Sequence, residues 1–257
     1  MPEADRQGGD AALADTLHGY PVILMNMPSQ ADKNTPRKPG SAVIGSEFID
    51  TIVNYPGVIA NVPELENAAA GIGISNTMEE IDGVNRRLPL FVGSNGKLFP
   101  SVPLEVLRVM SHDDTFQVKL NENGVEKMRV PSFRPITTDS VGRIWVDWSQ
   151  KNQQVSAVKL PKDFKKGIVI VGVSAAGIGN PVATSLGPIW PQDMQAAVMG
   201  TLANNVNIER PDWAPGAELY VLIGVSLLIL ALSRWTFVGL GIGIVLTAGL
   251  RSEEHTS

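Results

Sequence analysis

The segment KGIVIVGVSAAGIGNP, residues 166–181, contains the pattern in this chain that comes nearest to a catalytic motif. An apolar run leads into a glycine-rich turn, and the sequence GVSAA approximates the G-x-S-x-G turn that presents the nucleophilic serine of α/β hydrolases. That architecture requires a histidine after the serine in chain order, and only His255 follows Ser174. A membrane-tethered serine hydrolase using Ser174 is therefore an alternative and not the first hypothesis.

The same segment fails to match two phosphate-binding motifs. A Walker loop needs Lys and then Ser or Thr after its second glycine, where this chain has Ile178 and Gly179. A dinucleotide fingerprint needs a second glycine where this chain has Ser174. Two interpretations stay open, namely a turn of small residues that packs closely against its neighbours and a small-ligand or anion contact through backbone N–H groups.

Four residues in and after this turn are the predicted ligand-binding set. Open α/β sheets bind ligands at the carboxyl ends of their strands, and a strand over residues 167–173 would deliver Ser174, Gly177 and Asn180 to that edge. Thr184 follows close behind in sequence. We predict a ligand contact at these four residues, with no catalytic residue, no metal site and no cofactor.

Acidic turns and histidines are the remaining candidates for a metal or acid–base site. Asp82 and Asp139 could offer carboxylates to a ligand or a metal, but Asp82 precedes Gly83, and aspartate in a turn is ordinary turn chemistry. The 3 histidines are too scattered to predict a metal cluster. With Cys 0, the chain has no disulfide, no thiolate nucleophile and no cysteine-ligated metal.

Composition and periodicity predict the α/β fold that positions these residues, a mixed-sheet domain with a hairpin-rich middle. The 257 residues suit one sizeable domain with an appendage, and 21 Lys and Arg against 26 Asp and Glu, without a long block of either sign, exclude a nucleic-acid binder. Asn123-Gly124 predicts a tight hairpin. Other patterns predict helices at residues 10–18, 100–110 and 194–202 and strands at residues 20–27, 71–76, 86–92 and 167–173. The first and last of these strands are continuous apolar runs, typical of strands covered on both faces.

Residues 217–250 form an apolar segment whose only charged residues are Glu218 at its start and Arg234 in its middle. One helix of that length would reach about 51 Å and would put Arg234 near the centre of a hydrocarbon core of about 30 Å. We therefore predict two transmembrane helices, at residues 219–233 and 236–250, with Arg234 in a cytoplasmic turn. A buried helical hairpin of a soluble protein is the alternative.

The predicted organisation has three parts. Residues 1–215 form an extracytoplasmic domain, residues 217–250 form the transmembrane hairpin, and residues 251–257, RSEEHTS, match the translation of a sequencing adapter and carry no argument. Because the polar, acidic N-terminus has no signal sequence, we expect the domain to be truncated at its start.

Several patterns occur in an order that points to a known family: DAALADTL, GIGISNTMEEIDGVNRRLPLFV, FPSVPLEVLRV, ITTDSVGRIWVDW, FKKGIVIVGVSAAGIGNP and RPDWAPGAE. The ordered set resembles the type-2 CHASE domain, an extracytoplasmic sensor domain of bacterial transmembrane receptors. The sequence departs from the family at Thr184-Ser185, where Thr-Pro is common, and at Gln195, where His is often found. These positions are therefore not assigned as a family ligand site.

The resemblance implies a sensory input domain that is not itself catalytic. Its parent would carry a cytoplasmic output module, a nucleotide cyclase or a kinase, in the inner membrane of a bacterium, and would act as a homodimer that senses a small extracytoplasmic ligand. Besides the hydrolase, a cytoplasmic domain with a C-terminal membrane anchor is an alternative.

Overall fold

The computed structural model describes residues 5, 7–31, 34–35, 41–45, 51–149, 152–159, 167–175, 178–206, 208 and 213–253, with residues 41–43, 45 and 235–253 described in their backbone alone. The helices are α1 Gly9–Leu17, α2 Pro63–Ala68, α3 Val102–Met110, α4 Pro191–Ala203 and α5 Ala214–Glu253. The strands are β1 Ile23–Ser29, β2 Ser41–Gly45, β3 Gly57–Ile59, β4 Gly71–Ile74, β5 Arg87–Pro89, β6 Phe91–Ser94, β7 Lys97–Pro100, β8 Phe116–Asn121, β9 Gly124–Arg129, β10 Pro135–Ile136, β11 Arg143–Trp145, β12 Val182–Thr184 and β13 Gly187–Ile189.

The chain divides into two compact units, Met1–Ile208 and Glu209–Ser257. The first unit contains a three-stranded sheet in the order β3-β1-β4 and a four-stranded sheet in the order β10-β9-β8-β2, and each sheet has one parallel pair. Antiparallel ribbons join β5 to β11, β6 to β7 and β12 to β13. The predicted mixed α/β class is confirmed, although the sheets are small.

Strand β1 has one covered face and one open face. Val22 and Leu24 pack beside Leu17 of α1, and β4 pairs with β1 in parallel. On the other face Met25 and Met27 are 47% and 53% exposed. The prediction that this run is covered on both faces is therefore wrong for the two methionines, since α3 packs more over β4 than over β1.

The hairpin of β8 and β9 confirms the prediction from Asn123-Gly124. Asn121 accepts a hydrogen bond from the N–H of Asn123 at 2.8 Å, and Gly124 has a φ of 112°, which L side chains rarely adopt. Alternate side chains of β8 face the core, and Phe116 among them stacks on Phe91 with ring centroids 6.0 Å apart. The local turn chemistry thus sets the register that points these apolar residues inward.

Strand β4 and helix α3 meet at glycines. A Cβ at Gly73 would clash with the backbone of Val102, and a Cβ at Gly71 would clash with the Glu105 carboxylate. Glu105 is fully buried, and its Oε1 accepts a hydrogen bond from the N–H of Ile72 at 3.3 Å. A helix side chain therefore supplies the acceptor that a further strand would otherwise provide.

Arg108 neutralises the buried Glu105 carboxylate. Its Nε and Nη2 donate to the two carboxylate oxygens at 2.8 and 2.7 Å, and these hydrogen bonds raise the pKa of Arg108. Its Nη1 donates to the carbonyl of Asp113 at 2.7 Å. This bidentate pairing with Arg108 allows the Glu105 carboxylate to lie buried at the edge of β4.

Residues 167–173 do not form a strand, so the predicted second central strand is wrong. The segment has no ladder partner among the described strands, and Val171 is 91% exposed. An apolar run favours an extended backbone, but a strand exists only where another strand takes its hydrogen bonds. The parallel pair of β1 and β4 has no free edge for a further strand, because β3 lies on one side of β1 and Glu105 accepts a hydrogen bond from the far side of β4.

Helix α5 runs without interruption from Ala214 to Glu253, so the predicted turn at residues 233–236 and the prediction of two transmembrane helices are wrong. Within the part of the chain that the structure describes, a single candidate membrane span is found, Ala214–Arg234. The predicted turn served to keep Arg234 out of the bilayer centre. A span that ends at Arg234 places this residue at the membrane surface, so its charge is not buried in lipid and no turn is needed.

We predict that Gly73→Ala destabilises the first unit by about 1–3 kcal/mol, because the added methyl group meets the backbone of Val102, which cannot rotate away. Chemical denaturation followed by tryptophan fluorescence measures the change. Gly19→Ala is the matched control, since its Cβ meets only an ordinary contact with the carbonyl of Thr16. Equal stability of the two variants would contradict the close approach.

Candidate functional site

The four predicted ligand residues do not share one environment. Ser174 and Asn180 are exposed on the segment that precedes β12, whereas Thr184 is buried in β12. Gly177 lies outside the described residues. The structure therefore places two of the predicted side chains at the surface and one beneath it.

The segment that carries Ser174 lies against the beginning of α4. A Cβ at Gly172 would press into the side chain of Gln192, and a Cβ at Gly179 would lie 3.8 Å from the ring of Trp190. Trp190 is the N-cap residue of α4. Only a small residue fits at Gly172, and this close approach supports the packing interpretation of the segment.

Asn85 joins β12 to the turn before β5, a role that no pattern in the sequence indicates. Its backbone N–H and its Nδ2 both donate to the carbonyl of Ala183, at 2.9 and 3.2 Å. The neighbouring Thr184 hydroxyl donates to the carbonyl of Gly187 at 2.6 Å. Asn85 is fully buried, and its Oδ1 has no hydrogen-bond partner. An unpaired buried acceptor therefore lies next to Thr184.

Helix α4 is attached to the rest of the first unit near both ends. Near its beginning, the Gln195 amide donates to the hydroxyl of Ser75, directly after β4, at 3.3 Å. Near its end, the Thr201 hydroxyl accepts from the N–H of Asp147 at 3.0 Å, and Arg134 donates to the carbonyl of Leu202. Between these contacts its apolar side chains enter the main core. The helix therefore links the Ser174 segment to the end of β4.

A second unpaired polar group lies at the end of β4. Asn76 is buried, and neither its Oδ1 nor its Nδ2 has a hydrogen-bond partner. Tyr55 lies close by: burial raises the pKa of its hydroxyl, and the approach of Asn76 partly offsets that rise, although the contact does not reach hydrogen-bond geometry. Burial of the Asn76 amide therefore costs desolvation free energy that no hydrogen bond offsets.

A contrasting buried network on β1 is well paired. The Nδ2 of Asn26 donates to Glu66 at 2.8 Å, and the Oδ1 of Asn26 accepts from the Nδ2 of Asn61 at 2.7 Å. Asn61 also donates to the carbonyl of Met25 at 3.0 Å. Such a network stabilises the connection between β1 and α2 and has no unsatisfied atom aimed at a ligand.

The aspartates of the acidic turns pair with arginines, which agrees with the structural role expected of them. Asp82 pairs with Arg86 at 2.7 Å, and this hydrogen bond lowers the pKa of Asp82. Asp139 pairs with Arg143 at 2.8 Å and with Arg87 at 3.2 Å. Within the described ranges no group of three or more potential ligands could hold a metal ion.

We predict that Asn76→Leu leaves the melting temperature unchanged or raises it, because it removes an unpaired buried amide and breaks no bond. Asn26→Leu is the matched comparison and should cost about 1–3 kcal/mol, since it removes the hydrogen bonds that Asn26 makes with Glu66 and Asn61. Thermal unfolding monitored by circular dichroism distinguishes the two. A larger loss for Asn76→Leu than for Asn26→Leu would overturn the assignment of Asn76 as unpaired.

Comparison with known proteins identifies one family. The CHASE2 domain family matches residues 1–232, which extends from the first unit into α5. No curated protein and no solved structure matches the chain. CHASE2 domains are extracellular sensory domains found in signalling receptors. Because the match covers most of the sequence, this chain belongs to the CHASE2 domain family.

Proposed function

We propose that this chain is the extracytoplasmic input domain of a bacterial transmembrane receptor and that the segment from Ser174 to Thr184, together with Asn85, receives a small ligand. The observation that carries the proposal is the family match, which joins a sensory domain to a helix able to cross a membrane. The receptor would act as a homodimer in the inner membrane and control a cytoplasmic nucleotide cyclase or kinase. No step of this function requires catalysis by the chain itself.

The route for a signal follows from the attachment of α4. The Ser174 segment lies against Gln192 in the first turn of α4, and α4 ends at Ala203, eleven residues before α5 begins at Ala214. A ligand that changes the packing at Gln192 would act on a helix bonded to Ser75 at one end and Asp147 at the other. Such a helix can transmit a small displacement along the chain toward the span.

The hydrolase alternative has little support from the geometry. Ser174 is exposed, and the two described histidines lie elsewhere, His18 at the end of α1 and His112 just after α3. A serine nucleophile needs a base within hydrogen-bond reach.

Topology separates the receptor from the cytoplasmic alternative. We expect Cys at Val158, an exposed residue of the first unit, to react with a membrane-impermeant maleimide added to intact cells. Cys at Ser233, beside Arg234 at the other end of the candidate span, should react only after permeabilisation. The chain contains no native cysteine, so each label reports one position. The opposite pattern would favour a cytoplasmic domain with a membrane anchor.

Output activity tests the ligand site. In the full-length receptor that contains this chain, we expect Ser174→Leu and Asn180→Leu to change the ratio of stimulated to basal activity about fivefold or more, the usual size of coupling between two sites. Thr137→Leu is the matched control, an exposed polar residue replaced by leucine outside the proposed ligand segment. Expression and membrane insertion are measured for all three variants. Unchanged ratios in both site variants would leave this segment as a packing turn only.

A further inference from the structure

Three polar groups lie next to Ile74, the last residue of β4, and none of them belongs to the proposed ligand segment. Ile74 forms a parallel bridge with Ser101, the N-cap residue of α3. Tyr55 packs against the apolar cluster that contains Ile74, and its hydroxyl lies close to Asn76. Asn76 itself follows Ile74 by two residues. Three separate parts of the chain therefore bring polar side chains to the end of β4.

The side chains of Asn76 and Ser101 are buried without hydrogen bonds. Asn76 is 6% exposed and Ser101 is 4% exposed. The Oδ1 and Nδ2 of Asn76 and the Oγ of Ser101 have no partner within the part of the chain that the structure describes. Because both ends of the amide are unpaired, this holds for either orientation of the Asn76 amide group. A donor and an acceptor therefore lie side by side in a buried place, where each unmade hydrogen bond costs free energy.

The end of β4 is a place in the fold at which α/β proteins bind ligands. Strands β1 and β4 run parallel, and Asn76 follows the carboxyl end of β4. The crevice outside such strand ends is the usual ligand site of an open sheet. The apolar cluster beside Asn76 consists of Val58, Ile74, Val92 and Phe99. Apolar walls with a few convergent polar groups are the usual composition of a small-molecule site.

We propose that Asn76, together with Tyr55 and Ser101, binds a small uncharged ligand that carries a primary amide group. The N–H and the carbonyl of a primary amide lie side by side, so they can bond to both ends of the Asn76 side chain at once. A carboxylate offers acceptors alone and would leave the Oδ1 of Asn76 unpaired. The apolar cluster then accommodates the rest of the ligand, and the Ser101 and Tyr55 hydroxyls are further hydrogen-bonding groups.

Tyr55 gives a ligand access to Asn76. It is half-buried and lies between the exposed residues Asn54 and Pro56. Burial raises the pKa of the Tyr55 hydroxyl, and the nearby Asn76 amide partly offsets this rise. The two groups do not reach hydrogen-bond geometry. A rotation of the Tyr55 ring toward solvent therefore uncovers the Asn76 amide without breaking a hydrogen bond to it.

This site is separate from the proposed ligand segment at Ser174, so a failure of either proposal leaves the other in place. The two are nevertheless joined through α4. Ser75, which precedes Asn76, accepts a hydrogen bond from the Gln195 amide of α4 at 3.3 Å. A ligand that moves the chain at Asn76 would therefore act on the same helix as a ligand at Ser174.

The test measures the binding of benzamide to the full chain in nanodiscs by saturation-transfer NMR, with empty discs as background. Benzoate and acetophenone have the same ring and similar size, but neither has the N–H donor. We expect benzamide to bind with a dissociation constant of about 1 mM, a value reasonable for a ligand of this size. Both analogues should bind about tenfold more weakly or worse, because they leave the Oδ1 of Asn76 unpaired.

Three variants locate the binding. Asn76→Leu should weaken benzamide binding about tenfold or more, because it removes both partners of the ligand amide. Ser94→Ala is the matched control and should bind as the parent chain does, since Ser94 in β6 carries another buried hydroxyl without a described partner. Tyr55→Phe keeps the ring and removes its hydroxyl, and it should weaken benzamide binding about threefold. Thermal unfolding checks that each variant is folded.

Several results would overturn the proposal. Equal binding of the three compounds would show apolar partitioning, and a folded Asn76→Leu that binds benzamide as the parent chain does would place the ligand elsewhere. If Asn76→Leu does not fold, the preference for benzamide over its analogues and its weakening by Tyr55→Phe still decide. Absence of benzamide binding above that of empty discs would leave the Asn76 amide to buried water.

Discussion

The burial of Glu105 at the edge of β4 is the constraint on which the first unit depends. A carboxylate buried in the core is tolerated only where hydrogen bonds and an opposite charge offset its desolvation penalty. Glu105 has a bidentate salt bridge to Arg108 and accepts a hydrogen bond from the N–H of Ile72. The glycines at positions 71 and 73 follow from this, since any side chain there would push α3 away. A sheet that would otherwise need another strand is thus completed by a helix.

Helix α4 depends on the same edge. With β4 closed on its far side by α3, the chain after β4 continues into Ser75, which the Gln195 amide contacts. Helix α4 therefore packs where the sheet ends, and its core side chains join the main apolar cluster together with Leu104 of α3. The Ser174 segment, in turn, lies on the first turn of α4. The position of the Ser174 segment therefore depends, through α4 and α3, on the burial of Glu105 at the edge of β4.

The sequence predicted those elements whose signals are local. The hairpin at Asn123-Gly124, the helices at residues 10–18, 100–110 and 194–202 and a strand within residues 20–27 depend on turn chemistry and on apolar patterning, and all of them are present. The strand at residues 167–173 depends on a partner, which an apolar run cannot specify. The turn at Arg234 was inferred from the length of the apolar segment and from the cost of placing Arg234 in lipid, but the α-helix continues through this position. Asn85 and Glu105 were missed because nothing in a single sequence marks a polar residue as buried.

The unpaired polar atoms give the proposed sensor a physical basis for two states. Each buried group without a partner costs about 1–3 kcal/mol, and coupling between two sites in proteins is typically of the same size. Asn85 has such an atom beside Thr184, and Asn76 has two at the end of β4. A ligand or rearrangement that satisfies one of them therefore gains enough free energy to shift an equilibrium. The paired network at Asn26 offers no such gain, so a ligand-driven change should begin on the α4 side of the sheet and leave the β1–α2 side in place.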